Sequence, residues 1–563
     1  MRLSFALLAL PACTPVADDS GPYVPPAGFV TNAHIAYTDG LHNENTELMR
    51  LPDAQGGGLL MIFRGGETAQ IGSDNAYINV YGSADEGVTW TKQAEVSAAL
   101  LPGGRDIRDP KLVQMGDKLY LYAISRLPGG HYRDLLGDAW TLRSESDDGG
   151  FTWTDPVQTY ADVDDSGTET FWGFWRYATR HWTDGSSALQ TLYALGYDDG
   201  DKMVGMFASD DGITWQKSSI VVDSYDDVPS EAELHFYGQN QETAVAIVRM
   251  DNQGILQDGQ SAICTSQAPF ATWECGRRIE QRLDGPDWFS GDVAGAHREF
   301  VVARKHLPCT DKRTAIYELR GDLSDPTADV QVCEVEELPS AGDTAYTGLV
   351  GLGGDKYLTS WYSSTIPTTG DVPWLQGTFE PSDIWTANLD FSTVPTDVCN
   401  PPPDKVACEA PALPSGAAAN AASASYTLTI APVIYPAQTL TFDATVTAGA
   451  TLSVALQPLD AATGLPAGDP WTFDDVAVAT DGTFALSIPT VAVDESVFPL
   501  LADPFLTLND LVFTGVFTSS TTFCGSLYGY AQVFGTSVAD RIDLGGSTFG
   551  AVPSGSTPLA TCP

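Results

Sequence analysis

Positively charged residues are scarce in this chain of 563 residues, which has 28 Lys and Arg against 73 Asp and Glu. The formal net charge is −45, and beyond Lys405 the only basic residue is Arg541. Nucleic-acid backbones and anionic lipid surfaces both attract basic patches, so this composition argues against either as a partner. The acid excess is typical of a highly soluble extracellular surface, which we favour over a specific cation-binding role.

Metal-ligand patterns and sustained helical periods are also missing. The seven histidines are scattered, none follows His306, and no HxxxH or CxxC pair occurs. We therefore predict no metal and no cofactor. The chain instead shows short alternating runs bounded by turn residues, as in 57–66, 117–126 and 355–364. This pattern predicts an all-β protein.

The N-terminus has the features of an export signal. Arg2 precedes the apolar run 3–10, which is too short to span a bilayer. The following Leu-Pro-Ala-Cys resembles the lipobox of bacterial lipoproteins, which would make Cys13 a lipidated residue. We expect a signal segment over 1–13, a tether over 14–27 and a bacterial lipoprotein anchored to the outer membrane or cell surface. An ordinary secretory signal is the alternative.

Nine cysteines are present, and eight remain when Cys13 is set aside. An even number in an exported chain predicts disulfides rather than catalytic or zinc-bound thiols. Proximity along the chain suggests four pairs: Cys264–Cys275, Cys309–Cys333, Cys399–Cys408 and Cys524–Cys562.

An eight-residue phrase, Ser-x-Asp-x-Gly-x-Thr-Trp, recurs along the first two-thirds of the chain. It occurs at 83–90 and 146–153, at 208–215 with Ala208 in the serine position, and in a degenerate copy at 266–273. Its Asp and Ser favour a hydrogen-bonded turn, its glycine permits positive φ, and its tryptophan can bury a large apolar face. The phrase therefore predicts rigid hairpin tips.

The copies are separated by a nearly constant interval of about 60 residues, long enough for a four-stranded propeller blade. Residues 28–396 would then hold six blades. A Pro-, Ala- and Ser-rich linker follows over 397–425, and strand-like runs over 426–563 predict a second, β-sandwich-like domain. We expect a monomer.

The repeated phrase resembles the Asp boxes of the sialidase (neuraminidase) superfamily. That resemblance implies a β-propeller with the boxes at its periphery, away from the active site. It also implies an arginine cluster that holds the substrate and a tyrosine nucleophile activated by a glutamate. By order along the chain, the resemblance assigns Tyr346 as nucleophile and Glu231 or Glu233 as its base. These two glutamates point to opposite faces of one strand, and we prefer Glu231.

The same resemblance places the acid/base in the loop after Arg64, with Asp74 as first candidate and Glu67 as second. It assigns Arg50 or Arg64, Arg249 and Arg304 to the arginine cluster, because planar guanidinium groups suit a carboxylate. Four further residues are assigned to substrate binding: Arg108, Asp109, Asp343 and Tyr362. Ser363 follows Tyr362 where the family has a Tyr-Glu pair, and Asp343 lies in a Gly-Asp-Thr-x-Tyr pattern similar to uncharacterised sialidase-like propellers.

These patterns predict an exported glycoside hydrolase that acts on a terminal sugar, an acidic one if the resemblance extends to the substrate. The partner would be carbohydrate, with the membrane reached only through a lipid anchor. A non-catalytic propeller that binds glycan or protein at the cell surface is the second hypothesis. A five-bladed glycosidase, suggested by the Arg-Asp-Pro triplet at 108–110, is the third.

Overall fold

The structure is a computed structural model in which a number of short segments are not described. It describes residues 26–562 except 54–55, 68, 70–74, 99–100, 102–104, 127–138, 161, 164–168, 171, 185–186, 199–201, 225, 252–258, 294, 308–311, 365–371, 403–410, 417–422, 437, 495, 499–506 and 533–540. Cys13 and Asp74 lie outside the described residues, as do Cys309 and Cys408.

The described residues are almost entirely β-structure, as predicted, because the alternating runs form short strands. The strands up to residue 390 are β1 (Val30–Tyr37), β2 (His42–Arg50), β3 (Leu59–Gly66), β4 (Tyr77–Ser83), β5 (Thr91–Ser97), β6 (Asp106–Met115), β7 (Lys118–Arg126), β8 (Trp140–Ser146), β9 (Val157–Tyr160), β10 (Asp162–Val163), β11 (Glu169–Thr170), β12 (Gly173–Asp184), β13 (Ser187–Asp198), β14 (Met203–Ser209), β15 (Gln216–Asp223), β16 (Pro229–Tyr237), β17 (Thr243–Met250), β18 (Gln260–Gln267), β19 (Glu274–Ile279), β20 (Asp284–Val293), β21 (Ala296–His306), β22 (Lys312–Arg320), β23 (Gln331–Leu338), β24 (Thr344–Gly353), β25 (Lys356–Ser364) and β26 (Ser382–Asp390).

Four sheets each contain four consecutive strands, in the manner of propeller blades: β6–β9, β12–β15, β16–β19 and β20–β23. The strands β24, β25, β26 and β1 are joined to β2–β5 in a single eight-stranded sheet. The joint is one parallel pair, His42 opposite Ser382, supported by a 2.8 Å hydrogen bond from the Asn43 amide to Ser382 Oγ. The prediction of six separate blades is therefore wrong, because this pair merges the first and last strands of the propeller-like region into one sheet.

The first strand of each four-stranded unit contacts the first strands of its neighbours and forms a closed ring of inner strands. This ring runs through β2, β6, β12, β16, β20 and β24. Apolar cores fill the space between neighbouring units; Leu60 and Ile62, for example, share one with Leu119 and Leu121. A ring of six inner strands does not fit the five-bladed alternative. We call the end of the ring at which the inner strands begin the mouth.

Every inner strand is irregular close to the mouth. The pairing register shifts between Glu44 and Glu47, Arg108 and Lys111, Phe174 and Arg176, Pro229 and Ala232, Asp284 and Asp287, and Ala345 and Gly348. Four of these irregularities contain a residue with left-handed φ: Asn45 (57°), Asp109 (52°), Gly285 (55°) and Tyr346 (46°). Such β-bulges bend the strand and redirect its side chains, and they are enriched beside active sites.

The repeated phrase forms a hydrogen-bonded turn, as predicted. In the second copy Asp148 Oδ1 accepts from Ser146 Oγ at 2.9 Å and from the Thr152 amide at 2.9 Å. In the third copy the equivalent residues are Ser209 and Asp211, which meet at 3.0 Å, so Ala208 is not the serine equivalent. All four copies lie between the third and fourth strands of their units, at the end of the ring opposite the mouth.

A second β-region follows the propeller-like part. Its strands are β27 (Ala424–Ala431), β28 (Leu440–Ala448), β29 (Leu452–Pro458), β30 (Trp471–Val476), β31 (Thr483–Ala492), β32 (Thr507–Ser519), β33 (Thr522–Gln532), β34 (Arg541–Asp543) and β35 (Ser547–Pro553). All nine belong to one sheet around one apolar core, rather than to two separate sheets. Alternation predicts the buried face well: Phe442, Ala444 and Val446 of β28 all point into this core.

The short helix α1 (Trp374–Gly377) connects the two parts, because Leu375 packs into the core of the second β-region. A 3₁₀ turn follows at Phe391–Thr393. Within the described ranges, no helix has the length and apolar character needed to cross a bilayer.

Two of the predicted disulfides are confirmed, Cys264–Cys275 and Cys524–Cys562. The other two predicted pairs are wrong, because Cys333 bonds to Cys399 across 66 residues of sequence. Cys333 lies on the outer strand β23, and the chain returns past that strand after β26: the Glu334 amide donates to the Asn400 carbonyl at 2.7 Å. Proximity along the chain could not reveal this long-range return.

Asp148→Ala tests whether the repeated turn is structural. The substitution removes an acceptor shared by two backbone amides and a threonine hydroxyl, so we expect the free energy of unfolding to fall by about 1 kcal/mol. Its neighbour Asp147, with 73 % of its side chain exposed, is the matched control and should have little effect as Asp147→Ala. Denaturant unfolding measures both. Equal stability of the two variants would contradict a structural role for the turn.

Candidate active site

Acidic residues at the start of inner strands face arginines at the end of the next strand. Glu44 is opposite Arg64, Asp106 is opposite Arg126, and Asp284 is opposite Arg304. The arrangement follows from antiparallel pairing, since a second strand must end where the inner strand begins. The mouth therefore collects charged side chains from several units.

Tyr346 of β24 and Glu231 of β16 meet at this mouth. Tyr346 Oη donates a hydrogen bond of 2.7 Å to Glu231 Oε1. Arg249, from the end of β17, places Nη1 2.7 Å from the same carboxylate oxygen and 3.4 Å from Tyr346 Oη. The Gly285 amide donates to Glu231 Oε2 at 2.7 Å. Both carboxylate oxygens are thus fixed, and the glutamate is aimed at the phenol.

The backbone at Tyr346 is strained. Ala345 and Tyr346 have φ values of 89° and 46°, a left-handed region that non-glycine residues rarely occupy. The Tyr346 ring packs directly against the backbone of Gly285, where an added Cβ would lie 2.1 Å from Tyr346 Cδ1. Glycine at 285 is therefore required for this ring position. Strain of this kind persists where the surrounding contacts enforce it, which is common at functional sites.

Arg304 of β21 covers the other side of Tyr346. Its guanidinium carbon lies 4.6 Å from the centre of the Tyr346 ring, within cation–π range. Its Nη2 donates to Asp343 Oδ1 and to Tyr362 Oη, both at 2.9 Å. Asp343 Oδ1 also accepts from Tyr362 Oη and from Trp374 Nε1, each at 3.1 Å. Arg304, Asp343 and Tyr362 therefore form one hydrogen-bonded group beside the tyrosine.

Burial and charge determine the protonation of this centre. Burial raises the pKa of Tyr346 well above its ordinary value, and Glu231 adds to the effect while Arg304 and Arg249 oppose it. Tyr346 is therefore a neutral phenol that donates to Glu231. Although burial opposes ionisation of Asp284, Arg249 and Arg282 hold its pKa well below the ordinary value. Asp284 Oδ1 lies 3.1 Å from Arg249 Nε and 2.6 Å from Arg282 Nε.

A second group of ion pairs lies between β2, β3 and β6. Arg64 Nη1 contacts Glu44 Oε1 at 2.7 Å, and Arg64 Nη2 contacts Asp106 Oδ1 at 3.2 Å. Arg108 Nη2 lies 2.9 Å from the same Glu44 oxygen. Although burial opposes ionisation, Arg64 and Arg108 hold the pKa of Glu44 well below its ordinary value. Glu44 thus orients both arginines at the mouth.

Asp109 differs from Glu44 in that its pKa is raised rather than lowered. It occupies the left-handed position of the β6 bulge and accepts a 2.5 Å hydrogen bond from Asn45 Nδ2. Burial raises its pKa to about 7, because neighbouring Arg108 compensates only in part and the negative charges of Glu44 and Glu231 add to the increase. Asp109 is therefore a carboxyl group that can hold a proton near neutral pH.

A third group of ion pairs lies further along the inner strands, two or three residues beyond the residues of the mouth. Arg176 of β12 places Nη1 2.6 Å from Glu47, Nε 2.9 Å from Glu233, and Nη2 3.7 Å from Asp287. Lys111 contacts Glu47 at 3.1 Å. Burial raises the pKa of Glu233 and of Asp287 in spite of Arg176, since three carboxylates share two cations. Glu233 thus belongs to this group and does not contact Tyr346.

Several predicted site residues converge and others do not. The mouth brings together Tyr346, Glu231, Arg64, Arg108, Asp109, Arg249, Arg304, Asp343 and Tyr362. Arg50 is not among them: its side chain is 39 % exposed and pairs with Glu86 in the first repeated turn at 2.5 Å. It lies at the far end of β2, which excludes it from the arginine cluster. Glu67 is exposed.

Sequence reasoning missed several charged residues of the mouth and of the third group: His42, Glu44, Glu47, Lys111, Arg176, Asp284 and Asp287. A signal was present, because an acidic residue at the start of an inner strand is followed about 20 residues later by an arginine at the end of the next strand. Glu44 with Arg64, Asp106 with Arg126, and Asp284 with Arg304 share this spacing. The described part of the aromatic run, 172–177, contributes mainly core residues, since Trp172 and Phe174 are buried.

The guanidinium groups at the mouth are already engaged by carboxylates. Arg64 contacts two of them, Arg249 contacts Glu231, Asp251 and Asp284, and Arg304 contacts Asp284 and Asp343. Among the described residues, seven acidic side chains therefore lie beside six arginines at the mouth: Glu44, Asp106, Asp109, Glu231, Asp251, Asp284 and Asp343 beside Arg64, Arg108, Arg126, Arg249, Arg282 and Arg304. The mouth has no excess of positive charge from arginine.

Comparisons with known proteins return structural similarity alone. No family model and no curated protein matches this chain. Similar solved structures include an α-L-arabinanase from Penicillium chrysogenum, with 14% identity, coverage of 65% of this chain and 99% of that chain, and a TM-score of 0.44. An intramolecular trans-sialidase from Ruminococcus gnavus has 11% identity, 65% and 99% coverage, and a TM-score of 0.45. A Trypanosoma rangeli sialidase has 13% identity, 92% and 89% coverage, and a TM-score of 0.43. Similarity this low carries no argument about substrate or mechanism.

Asp109→Asn tests the protonation of the mouth. Because the folded chain holds the Asp109 proton up to about pH 7 and an ordinary aspartate loses it near 3.8, unfolding releases a proton between these values. Wild-type stability should therefore fall as pH rises through this window, by roughly 1–4 kcal/mol from this group. Asp109→Asn should remove that part of the slope, whereas the exposed control Asp147→Asn should keep it. Denaturant unfolding at a series of pH values measures the slopes, and parallel slopes for Asp109→Asn and wild type would contradict a retained proton.

Proposed function

We propose that the chain is an exported glycoside hydrolase that cleaves a terminal sugar with retention of configuration. The observation that carries this proposal is the 2.7 Å hydrogen bond from Tyr346 Oη to Glu231 Oε1, with Arg249 beside both atoms. A neutral phenol is a weak nucleophile and needs an adjacent base to accept its proton. Glu231 is in hydrogen-bonding contact with that proton.

The reaction would proceed in two displacements. Tyr346 Oη attacks the anomeric carbon while Glu231 accepts its proton, and an acid donates a proton to the departing glycosidic oxygen. Water then attacks the same anomeric carbon and gives a proton to the conjugate base of that acid, while Glu231 returns its proton to the departing Tyr346 oxygen and so regenerates the phenol. Two inversions at one carbon give net retention, as in glycosidases with a tyrosine nucleophile.

Two carboxyl groups are candidates for the acid. Asp74 is the candidate from the sequence and lies outside the described residues. Asp109 is the candidate from the described mouth, because its carboxyl group holds a proton near neutral pH. It also lies close enough to Glu231 for that negative charge to raise its pKa. A general acid is most effective when its pKa lies near the working pH.

The pairing of the arginines favours a neutral sugar over the acidic one that the family resemblance implies. A carboxylate on the substrate would compete with carboxylates that already hold Arg64, Arg249 and Arg304. Purified protein should be assayed on neutral aryl glycosides and on aryl sialosides in parallel. Turnover of a sialoside in preference to neutral glycosides would contradict this part of the proposal.

The arginines of the mouth are already paired with carboxylates of the protein, and this pairing also supports a second candidate function. That function is a non-catalytic propeller that binds glycan at the cell surface. In that case a glycan array should show binding that persists in Tyr346→Phe, and no glycoside should be hydrolysed. The two functions differ in whether the phenol hydroxyl is needed.

Export and anchoring complete the proposal. Disulfides such as Cys333–Cys399 suit an oxidising compartment, and we propose that Cys13 carries a lipid that anchors the chain. The second β-region would have an accessory role. Palmitate labelling of the full chain, compared with Cys13→Ala, tests the anchor, and unchanged labelling would contradict it.

Tyr346→Phe is the decisive variant for catalysis. It removes the nucleophilic oxygen and keeps the ring that packs on Arg304 and Gly285, so we expect kcat to fall by about 100-fold or more with little loss of stability. Tyr317→Phe is the matched control, because Tyr317 is a buried tyrosine in a core between sheets and should keep full activity. Unchanged turnover in Tyr346→Phe would refute the tyrosine nucleophile.

A further inference from the structure

Three ligand-type atoms face one another beside the candidate active site. His42 Nε2 lies 3.4 Å from Asp343 Oδ2 and 3.7 Å from Glu44 Oε2, and the three atoms lie within 4.8 Å of one another. The His42 side chain is fully buried. Its Nε2 has no hydrogen-bond partner among the described residues. An unpaired buried nitrogen directed at two carboxylates requires an explanation.

The remaining polar atoms of all three side chains are held in place. His42 Nδ1 is 2.7 Å from the Glu380 carbonyl, which can only accept, so Nδ1 carries a hydrogen. Oε1 of Glu44 accepts from Arg64 and Arg108, and Oδ1 of Asp343 accepts from Arg304, Tyr362 and Trp374. Outer contacts of this kind orient the ligands of metal sites and leave their second atoms directed at the ion.

The separations distinguish a metal ion from a proton. A proton on Nε2 that bonded to a carboxylate would bring the two atoms to roughly 2.7–2.9 Å. Ligands at about 2.0–2.2 Å around a tetrahedral ion are instead roughly 3.3–3.6 Å apart. The observed 3.4 and 3.7 Å fit the second arrangement better.

We propose that His42, Glu44 and Asp343 form a binding site for a divalent transition-metal ion, with Zn²⁺ as the best fit. One imidazole nitrogen and two carboxylate oxygens suit Zn²⁺ better than Ca²⁺ or Mg²⁺, which prefer oxygen ligands alone. Three protein ligands leave a position for water or a sugar hydroxyl. The metal site does not depend on the proposed hydrolase activity, since neither Tyr346 nor Glu231 is a ligand.

Zn²⁺ binding to the full chain tests the site directly. The protein is stripped with a chelator, dialysed and titrated with Zn²⁺ by calorimetry, and the metal retained after gel filtration is measured by mass spectrometry. We expect one equivalent per chain and a higher melting temperature with Zn²⁺. His42→Ala and Asp343→Asn should lose the equivalent, with affinity lowered by about 100-fold or more, since even an outer-shell change costs about 10–100-fold.

His297→Ala is the matched control. His297 also lies beside two carboxylates, Asp292 and Glu299, but it is 55 % exposed and its Nε2 contacts Glu299 at 2.8 Å. This variant should keep the bound equivalent. Weak binding of several ions that is the same in all variants, as an acidic surface would give, would overturn the proposal. Stoichiometric binding lost in His297→Ala instead would also overturn it.

Loss of Zn²⁺ binding in His42→Ala must be distinguished from misfolding of that variant. His42→Gln retains a polar side chain and serves as the second variant, and circular dichroism shows whether each variant is folded. Co²⁺ in place of Zn²⁺ gives a visible spectrum that reports its ligands. A wild-type chain that shows neither Zn²⁺-dependent stabilisation nor a Co²⁺ spectrum would refute the site even if no variant folded.

Discussion

The mouth of the ring depends on one constraint, that each charge buried there must be matched by a neighbour of opposite sign. An isolated ion in a protein interior costs several kcal/mol, and removing one partner of a buried pair exposes the other to that cost. Asp284 contacts Arg249, Arg282 and Arg304, so it connects the tyrosine centre to the rest of the cluster. Because the pairs share partners, the site behaves as one unit in which single substitutions are not additive.

The bulges of the inner strands make this density of charge possible. In a regular strand neighbouring side chains point to opposite faces, so Arg108 and Asp109 could not both lie at the mouth. The left-handed φ of Asp109 breaks the alternation, and both side chains are buried there, Arg108 against Glu44 and Asp109 against Asn45. Tyr346 reaches Glu231 through the same distortion, which the small Gly285 allows. Local strain in the backbone is thus offset by the ion pairs and hydrogen bonds that it makes possible.

Patterns of the sequence predict the architecture better than the site. The repeated turns and alternating runs indicate the β-units and outer hairpins, because those signals depend on residues close together in sequence. The family resemblance singled out Tyr346, Glu231, Arg249 and Arg304 from their order along the chain, and these four side chains meet at the mouth. The merged sheet could not be predicted, because His42 pairs with Ser382 across almost the whole propeller-like region. The Cys333–Cys399 disulfide could not be predicted either, because it joins cysteines that are 66 residues apart in sequence. The position of Arg50 outside the site could not be predicted, because it depends on which end of β2 faces the mouth.

The same constraint limits what can bind at the mouth. An anionic ligand would gain a guanidinium only by displacing a carboxylate such as Glu44 or Asp343, which would then remain buried without its partner. Sugar hydroxyls can donate to carboxylates and accept from guanidinium groups while the ion pairs stay intact. They therefore avoid the cost of breaking a pair. Charge pairing that stabilises the fold thus also favours a neutral, hydroxyl-rich ligand.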